Sequence, residues 1–539
     1  DAKTITSALE EWGEVFRKLP RIDAVFVPGG DPGHTEPKVL MAFLEKETAV
    51  LQRYHPKAQM WMSPQSFTQE WLDQFYAILN NTHPAWLSGV VFGPQVRVNL
   101  AQLRAAIPKR YPIRHYPDIT HSRQSQFPVP DWDTAYAVTE GREVINPRPL
   151  SEAQIFRQTA PFTIGFLSYS EGCNDDVNKI VWSALAWNPE ANIDDILRQY
   201  GRYFVGARNG ESFAKGLMEL ERNWQGPLAA NTPVDRTLGH FRELEQAATP
   251  QMLANWRFQQ ALYRAYYDSY TRRRLIYEAE LEERAMDCLR AAPQTGAEQA
   301  MSRAESILNN AAIHRVSENL RARVFELAEA LFQSIRMQLS VPRYKAISVD
   351  RGANLDTIDA PLNNRLWLAQ RFADLRKVSA ESERLAGIHQ IVNWTDPGPG
   401  GFYDDLGDIG RQPHLVRGEG MLVGFGPSGT RRNSWWDHAE ALYDDPLRMH
   451  YAGLDSHAKY TIRVVYAGDS PRRKIRLVAG GRWQVHPFIE KPAPVAPVEF
   501  NIPHQAIERG ELDLTWSGEP GLGGNGRGCQ VSEVWLIKK

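Results

Sequence analysis

The chain has 539 residues, room for roughly two to four domains, and 42% hydrophobic against 23% charged residues is the balance of a globular protein with a core. A formal charge of −2 excludes a broad field that recruits nucleic acid or an anionic membrane surface, and there is no apolar run of about 18 residues to span a bilayer. Three scattered cysteines, Cys173, Cys288 and Cys529, exclude a disulfide framework and a cysteine-based zinc site.

Residues 1–206 alternate apolar runs with helical patterns. RIDAVFVPGG is a short apolar run ending in Gly29 and Gly30, the pattern of a buried strand. The next segment has Val39, Leu40, Phe43, Leu44 and Leu51 at helical spacing. AQMWMSPQ reads as the second strand, and TQEWLDQFYAILNN as a helix with Thr68 in N-cap position. WLSGVVFGP is the third strand, LAQLRAAIP a helix and PIRHYPDITH the fourth strand. Residues 122–150 are irregular and proline-rich. A helix over 151–160, the strand FTIGFLSYS, a helix over 176–187 and the helix in NIDDILRQYGRYFVG complete the region. Repeated β-α units with parallel crossovers make this part α/β. Five strands are three short of a TIM barrel. The expectation is a TIM-like barrel portion whose first strands lie outside this chain, which the abrupt start favours; an open sheet is the alternative.

Residues 207–340 read as an all-α helical domain. Apolar residues recur at helical spacing from LEQAATPQ to DCLRAA, and again from AEQAMSRA to SIRMQL. The TRRR run at 271–274 reads as a solvated helix face, with a polyanion site as the alternative. Residues 341–420 are rich in Gly, Pro and Asp and read as an irregular connecting region. Residues 421–539 carry short alternating segments such as KYTIRVVYAG, KIRLVAGG, ELDLTWSG and QVSEVWLIKK, a C-terminal β-sandwich pattern.

In parallel α/β folds ligands bind at the carboxyl ends of strands. Asp31, His34 and Glu36 follow the first strand, Ser63 and Gln65 the second, and Asp118 and His121 the fourth. Glu171, Asn174, Asp175 and Asp176 follow the last. Each has a structural alternative: Asp31 a turn before Pro32, His34 a satisfied loop histidine, and Asp175 or Asp176 a helix cap. Together they place carboxylates on one rim. There one carboxyl group, protonated, donates to a glycosidic oxygen, and the other attacks, activates water or steadies a cation. Glu171 is the first choice as acid/base and Asp31 as its partner; the others are candidates for binding. Asp31, His34, Glu36, Asp118 and His121 include metal-ligand types, but their spacing matches no motif, so neither metal nor cofactor is expected. No GxGxxG, Walker loop or GxSxG occurs, against nucleotide binding and hydrolase-elbow chemistry.

A second concentration is NWTDPGPGGFYDDLG at 393–407. Trp394, Asp396, Tyr403 and Asp404 are expected to fold back as an aromatic wall over the site, with a plain linker as the alternative. Trp435 and Trp436 either join that wall or belong to the core of the β-domain.

The run FTIGFLSYS through IVWSALAWNPEANIDDILRQYG resembles the last barrel strand and following helices of family-84-type β-N-acetylglucosaminidases. It is more distantly similar to family-20 hexosaminidases and family-67 α-glucuronidases. The resemblance implies a glycosidase-like barrel followed by a helical domain. It departs at GGDPGHTEP, where Asp31 is followed by Pro32 and not by the second acidic residue of the family-84 type. The expected function is a glycoside hydrolase that removes a terminal sugar from a glycan, N-acetylhexosaminidase-like or glucuronidase-like. The alternatives are a non-catalytic glycan-binding protein and a metal-dependent hydrolase or isomerase on a barrel. The expected partner is carbohydrate, for which some of the 16 tryptophans supply stacking surfaces, and not nucleic acid. The lack of an initiator Met favours an extracellular or periplasmic location as an expectation.

Overall fold

The structure, a computed structural model, describes residues 2–30, 33–130, 132–418, 420–425, 429–469, 472–520 and 524–539. Four parallel strands lie side by side in chain order: β1 (Ala24–Pro28), β2 (Gln59–Ser63), β3 (Leu87–Phe92) and β4 (Ile113–His115). Helices Pro37–Tyr54, Gln69–Asn81 and Leu100–Ala106 fill the crossovers. Their starts are chemically marked. The Thr68 hydroxyl accepts the Trp71 N–H at 3.2 Å, and Asn99 and Gln102 cap each other reciprocally. Met60, Met62 and Val90 of the sheet are buried with Leu44, Leu72, Phe75, Leu79 and Leu103 of the helices. A further helix, Ala2–Lys18, packs on Pro37–Tyr54.

β4 is short because Pro112 precedes it and Pro117 follows closely, and proline has no N–H for a ladder. The fifth expected strand runs parallel beside β4 through separate bonds. His115 N–H donates to Gly165 O at 2.9 Å, Leu167 N–H to His115 O at 2.9 Å and Tyr169 N–H to Pro117 O at 3.0 Å. Among the described residues β1 and this fifth segment are the two edges, and the sheet is open, which leaves the expected barrel portion unconfirmed beside the open-sheet alternative. Closure requires a matched strand number, tilt and shear that five segments do not supply.

The helical region is built on Trp256–Arg290, a 35-residue helix that packs on Ala297–Ile313 and Glu318–Ile335. The TRRR run on it is not a solvated face. Arg272 and Arg274 are buried; Arg272 pairs with Asp235 at 2.8 Å and Arg274 with Glu278 at 2.6 Å. Their remaining donors pin the carbonyls of Leu228, Ala229, Ile358 and Ala360, a use of the five-donor guanidinium that no solvated lysine face needs. The stretch 341–420 is not irregular throughout. Trp367, Leu368 and Phe372, and Ile388 and Ile391, bury the helices Arg365–Arg376 and Glu381–Val392 in one cluster with Ala297–Ile313.

Two antiparallel sheets form the C-terminal sandwich. One orders Val498–Asn501, Tyr460–Val465, Glu533–Lys538 and Phe402–Asp405; the other orders Trp483–Ile489, Ile475–Ala479, Glu511–Gly518, Leu447–Ala452 and Leu415–Val416. Ile462, Val464 and Leu536 of the first share a core with Met449, Leu477 and Trp516 of the second. The sandwich thus takes in a strand at 402–405, ahead of residue 421, because Phe402–Asp405 pairs with Glu533–Lys538. Buried Arg97 grips Asp444 through two bonds, at 2.8 and 3.1 Å, and Gln124 Nε2 donates to Asp469 at 3.0 Å. These contacts hold sandwich loops against the carboxyl ends of the parallel strands.

Candidate functional site

A cavity of about 560 Å³ opens at those carboxyl ends. Pro28 reaches it from the tip of β1, Gln65 from beyond β2, Gln95 from beyond β3, Tyr116 and Asp118 from beyond β4, and Tyr169 from the fifth segment. Gly29 and Gly30 make the first approach feasible. A Cβ on Gly29 would lie 2.5 Å from Ser63 O, and one on Gly30 2.8 Å from Gln65 O. Arg473, Asn525 and Arg527 of the sandwich line the same cavity.

A chain of charges runs along one side. Asp118 Oδ1 accepts the N–H groups of Thr120 and His121, each at 3.2 Å, and Oδ2 meets His121 Nδ1 at 2.7 Å. His121 Nε2 lies 3.0 Å from Glu143 Oε1. With a carboxylate at each ring nitrogen, both nitrogens can donate and the imidazolium is favoured. Burial opposes that charge, but the bonds to Asp118 and Glu143 outweigh it and raise the His121 pKa. Burial also pushes the Asp118 carboxyl up, and the His121 bond and charge pull it below its ordinary value.

Arg351 continues the chain, with Nη1 2.5 Å from Glu143 Oε1 and 3.0 Å from Glu171 Oε1. Glu171 also accepts the Tyr169 hydroxyl, whose ring lines the cavity. Burial raises the Glu171 pKa, and the bonds from Tyr169 and Arg351 outweigh it, so the carboxyl is held below the usual range. Gly352 makes the docking of Arg351 possible. Its φ is +95°, and a Cβ there would lie 2.6 Å from Glu143 O. His121, Glu143 and Glu171 bring ligand-type atoms within 4.8 Å of one another, with the Arg351 guanidinium bonded to both carboxylates.

Of the residues expected from the sequence, Gln65, Asp118 and His121 line the cavity and Glu171 borders it through Tyr169. Asp31 lies outside the described residues. His34 is exposed and packs its ring 4.5 Å from that of Trp71, and Glu36 only precedes a helix, without a side-chain capping bond. Asn174 is buried and donates to Val144 O at 3.3 Å. Asp175 is buried under Thr120, Ser170 and Lys179. Asp176 binds the Tyr200 hydroxyl at 2.7 Å and Arg257 at 2.8 Å, tying its helix to the helical region. The crowd of amides and acids at 174–176 is therefore spent on internal bonds.

The stretch 393–407 does not wall the cavity. Trp394 Nε1 and the Tyr403 hydroxyl donate to buried Glu533, at 3.2 and 2.7 Å; Asp396 accepts Gly398 N–H in a turn; Asp404 holds His414 and Tyr451. Strand pairing with Glu533–Lys538 draws the segment into the sandwich. Trp435 and Trp436 are buried there as well.

Glu143, Arg351, Tyr169, Arg142 and Arg473 were not singled out in the sequence. Glu143 and Arg142 sit in the proline-rich stretch, Arg351 in a single turn Val349–Arg351, and Arg473 between sandwich strands. The signal available was the VDRG turn, whose glycine marks a tight approach.

No family model matches the chain, and no curated protein matches it. Among the solved structures similar to it are two glycoside hydrolases. One is a GH115 4-O-methyl-α-glucuronidase with specificity for decorated arabinogalactans, at 10% identity and TM-score 0.35, over 99% of this chain and 66% of that one. The other is a GH138 enzyme targeting pectin rhamnogalacturonan II, at 8% identity and TM-score 0.33, over 92% of this chain and 70% of that one. The chain thus spans just under two thirds of the glucuronidase it is similar to. At these scores neither likeness carries an argument about chemistry, and the resemblance to family-84, family-20 and family-67 enzymes rests on the residues quoted for it.

Proposed function

We propose that the chain acts as a glycoside hydrolase on a glycan whose terminal sugar carries a carboxylate, glucuronidase-like in preference to N-acetylhexosaminidase-like. The observation that supports this most is the carboxylate pair Glu143 and Glu171, with oxygens within 4.8 Å, beside a polar cavity walled by Phe26, Tyr116 and Tyr169. Glu171, held ionised, suits the nucleophile or the stabiliser of an oxocarbenium ion better than the resting proton donor. His121, held between Asp118 and Glu143 with its pKa raised by both, supplies the proton that the leaving oxygen takes.

The charge of the cavity favours an acidic sugar. Arg473 lines it and makes no ion pair among the described residues; Arg142 comes no closer than 3.9 Å to Glu143. Asp118, the carboxylate of the lining, already serves His121. A substrate carboxylate is the complement of such a wall.

The test is a screen with chromogenic glucuronides, N-acetylglucosaminides and sialosides, followed by Glu171→Gln. Turnover of an acidic glycoside should fall by roughly 10²–10⁴ with binding retained. Binding without turnover by the unaltered protein supports the non-catalytic reading instead. The metal-dependent reading draws on the three ligand-type atoms of His121, Glu143 and Glu171. Arg351 sits where such an ion would bridge the carboxylates, and a metal needed for activity whose binding is lost on Glu143→Gln supports that reading over this one.

A further inference from the structure

A second cavity, about 570 Å³, lies between the helical region and the sandwich and shares no lining residue with the first. Its sandwich wall carries Asp405, Asp408 and Asp437. Asp405 ends the strand Phe402–Asp405 and Asp437 opens the strand Asp437–Ala441. They are 5% and 2% exposed. The Oδ1 atom of each is buried without a hydrogen-bond partner, and so is Asn433 Oδ1 on the same wall. Asp437 accepts the Thr134 hydroxyl at its other oxygen. Gly407 admits the Asp437 carboxylate against the chain, where any Cβ would overlap Oδ1.

Arg411 and Arg432 offset part of the charge at Asp405 from a distance, without bonding to either carboxylate among the described residues. Glu533 and Asp408 add negative charge. Arg432 approaches Glu533 at 3.6 Å and lies over the rings of Trp367 and Trp394, and Arg411 lies over Tyr403. Neither arginine forms an ion pair with Asp405 or Asp437 among the described residues. Two neighbouring carboxylates buried without a counter-ion are strongly unfavourable.

We infer that a hard divalent cation of the calcium class binds between Asp405 and Asp437, with Asn433 Oδ1 and water completing an all-oxygen shell. Calcium takes six to eight such ligands from carboxylates, amide carbonyls and water. No imidazole or thiol lines this cavity, which argues against zinc and softer metals. The cation joins the first strand of the sandwich to Asp437, and through Asp437 to Thr134. Thr134 begins the helix Thr134–Glu140, which leads directly into Arg142 and Glu143. Binding therefore stiffens the mount of the first site from a distance.

The test uses the full chain stripped with chelator. Terbium, a hard calcium probe, should give saturable emission on tryptophan excitation, since Trp132 and Trp436 line the cavity. Calcium should displace it and raise Tm. Asp405→Asn and Asp437→Asn should each lose the emission and the calcium-dependent rise in Tm. Glu283→Gln, on the helical wall of the same cavity, should keep both. If the aspartate variants do not fold, the titration of the unaltered protein decides alone. A Tm indifferent to millimolar calcium with no saturable terbium emission overturns the inference, as does emission that survives in both aspartate variants. In the first of those outcomes protons neutralise the pair.

Discussion

Replacing Arg351 by Met removes the cation that bridges Glu143 and Glu171 while keeping an unbranched side chain. Two like unit charges about 4 Å apart repel by about 1 kcal/mol in water and about 4 kcal/mol at an effective dielectric of 20. The Glu171 and Arg351 side chains keep 26% and 41% exposure, so screening moves the figure toward the lower value. Glu143, at 6% exposure, loses one cation but keeps His121. A cost of about 1–2 kcal/mol at neutral pH follows. At about 2–4 °C per kcal/mol for a domain of 150–250 residues, the loss in Tm is a few degrees. The pH dependence has a definite sign. Glu171 is held below its ordinary value in the folded protein, so its contribution is present above that value and is lost as pH falls through the folded pKa. The gap between the two proteins should be full near about pH 7 and close below about pH 4. Scanning calorimetry of both proteins over that range measures it. A gap that stays constant, or widens on acidification, refutes the pairing of Arg351 with ionised carboxylates.

Arg473→Ala should raise KM for a carboxylate-bearing glycoside by roughly ten- to a hundredfold, the worth of a charge-assisted hydrogen bond of about 1.5–3 kcal/mol, and leave kcat unchanged. Equal effects on neutral glycosides would argue for a packing role. His121 has the opposite sign to Glu171. Its raised folded pKa makes its contribution full below the ordinary histidine value of about 6.5 and lost as pH rises through the folded pKa. The Tm difference between the unaltered protein and His121→Gln should therefore shrink on the alkaline side, and Tm measured across pH checks it. Gly352→Ala places a side chain at φ +95° and against Glu143 O, and should cost about 1–3 kcal/mol in urea unfolding while displacing Arg351.

The parallel strands were legible because each is a short apolar run closed by Gly, Pro or a polar turn, and burial on both faces demands that pattern. The arrival of Asp118, His121 and Gln65 at the strand-end cavity was legible for a related reason: in a parallel sheet the residue after a strand has one place to go. Glu143 and Arg351 obeyed no such rule. One lies in a stretch without periodicity, the other in a single turn, and they meet across 208 positions of sequence. The aromatic residues Trp394 and Tyr403 at 393–407 misled because serving a buried acid leaves the same trace as lining a sugar site. Glu533 needs Trp394, Tyr403, Ser434 and Trp435 as donors, and a sequence shows the donors without the acid they serve. The cluster at 174–176 misled likewise, since Thr120, Lys179, Tyr200 and Arg257 are its partners.

The division into separate domains also conceals how the site is balanced. Asp118, Glu143 and Glu171 all come from the first 206 residues, together with Arg142. The bridging cation, Arg351, comes from the segment that follows the long helices, and Arg473 and Arg527 come from the sandwich. A fragment ending near 206 would keep the three carboxylates and lose the guanidinium that lets two of them stand within 4.8 Å. Like charges at that distance force one carboxyl to take up a proton or swing away, and in either case the pair loses the geometry on which the proposed reaction rests. The ties that fix the assembly, Asp176 to Arg257 and Arg97 to Asp444, are thus part of the site's chemistry, because they hold the source of positive charge in register with the strand ends that supply the negative.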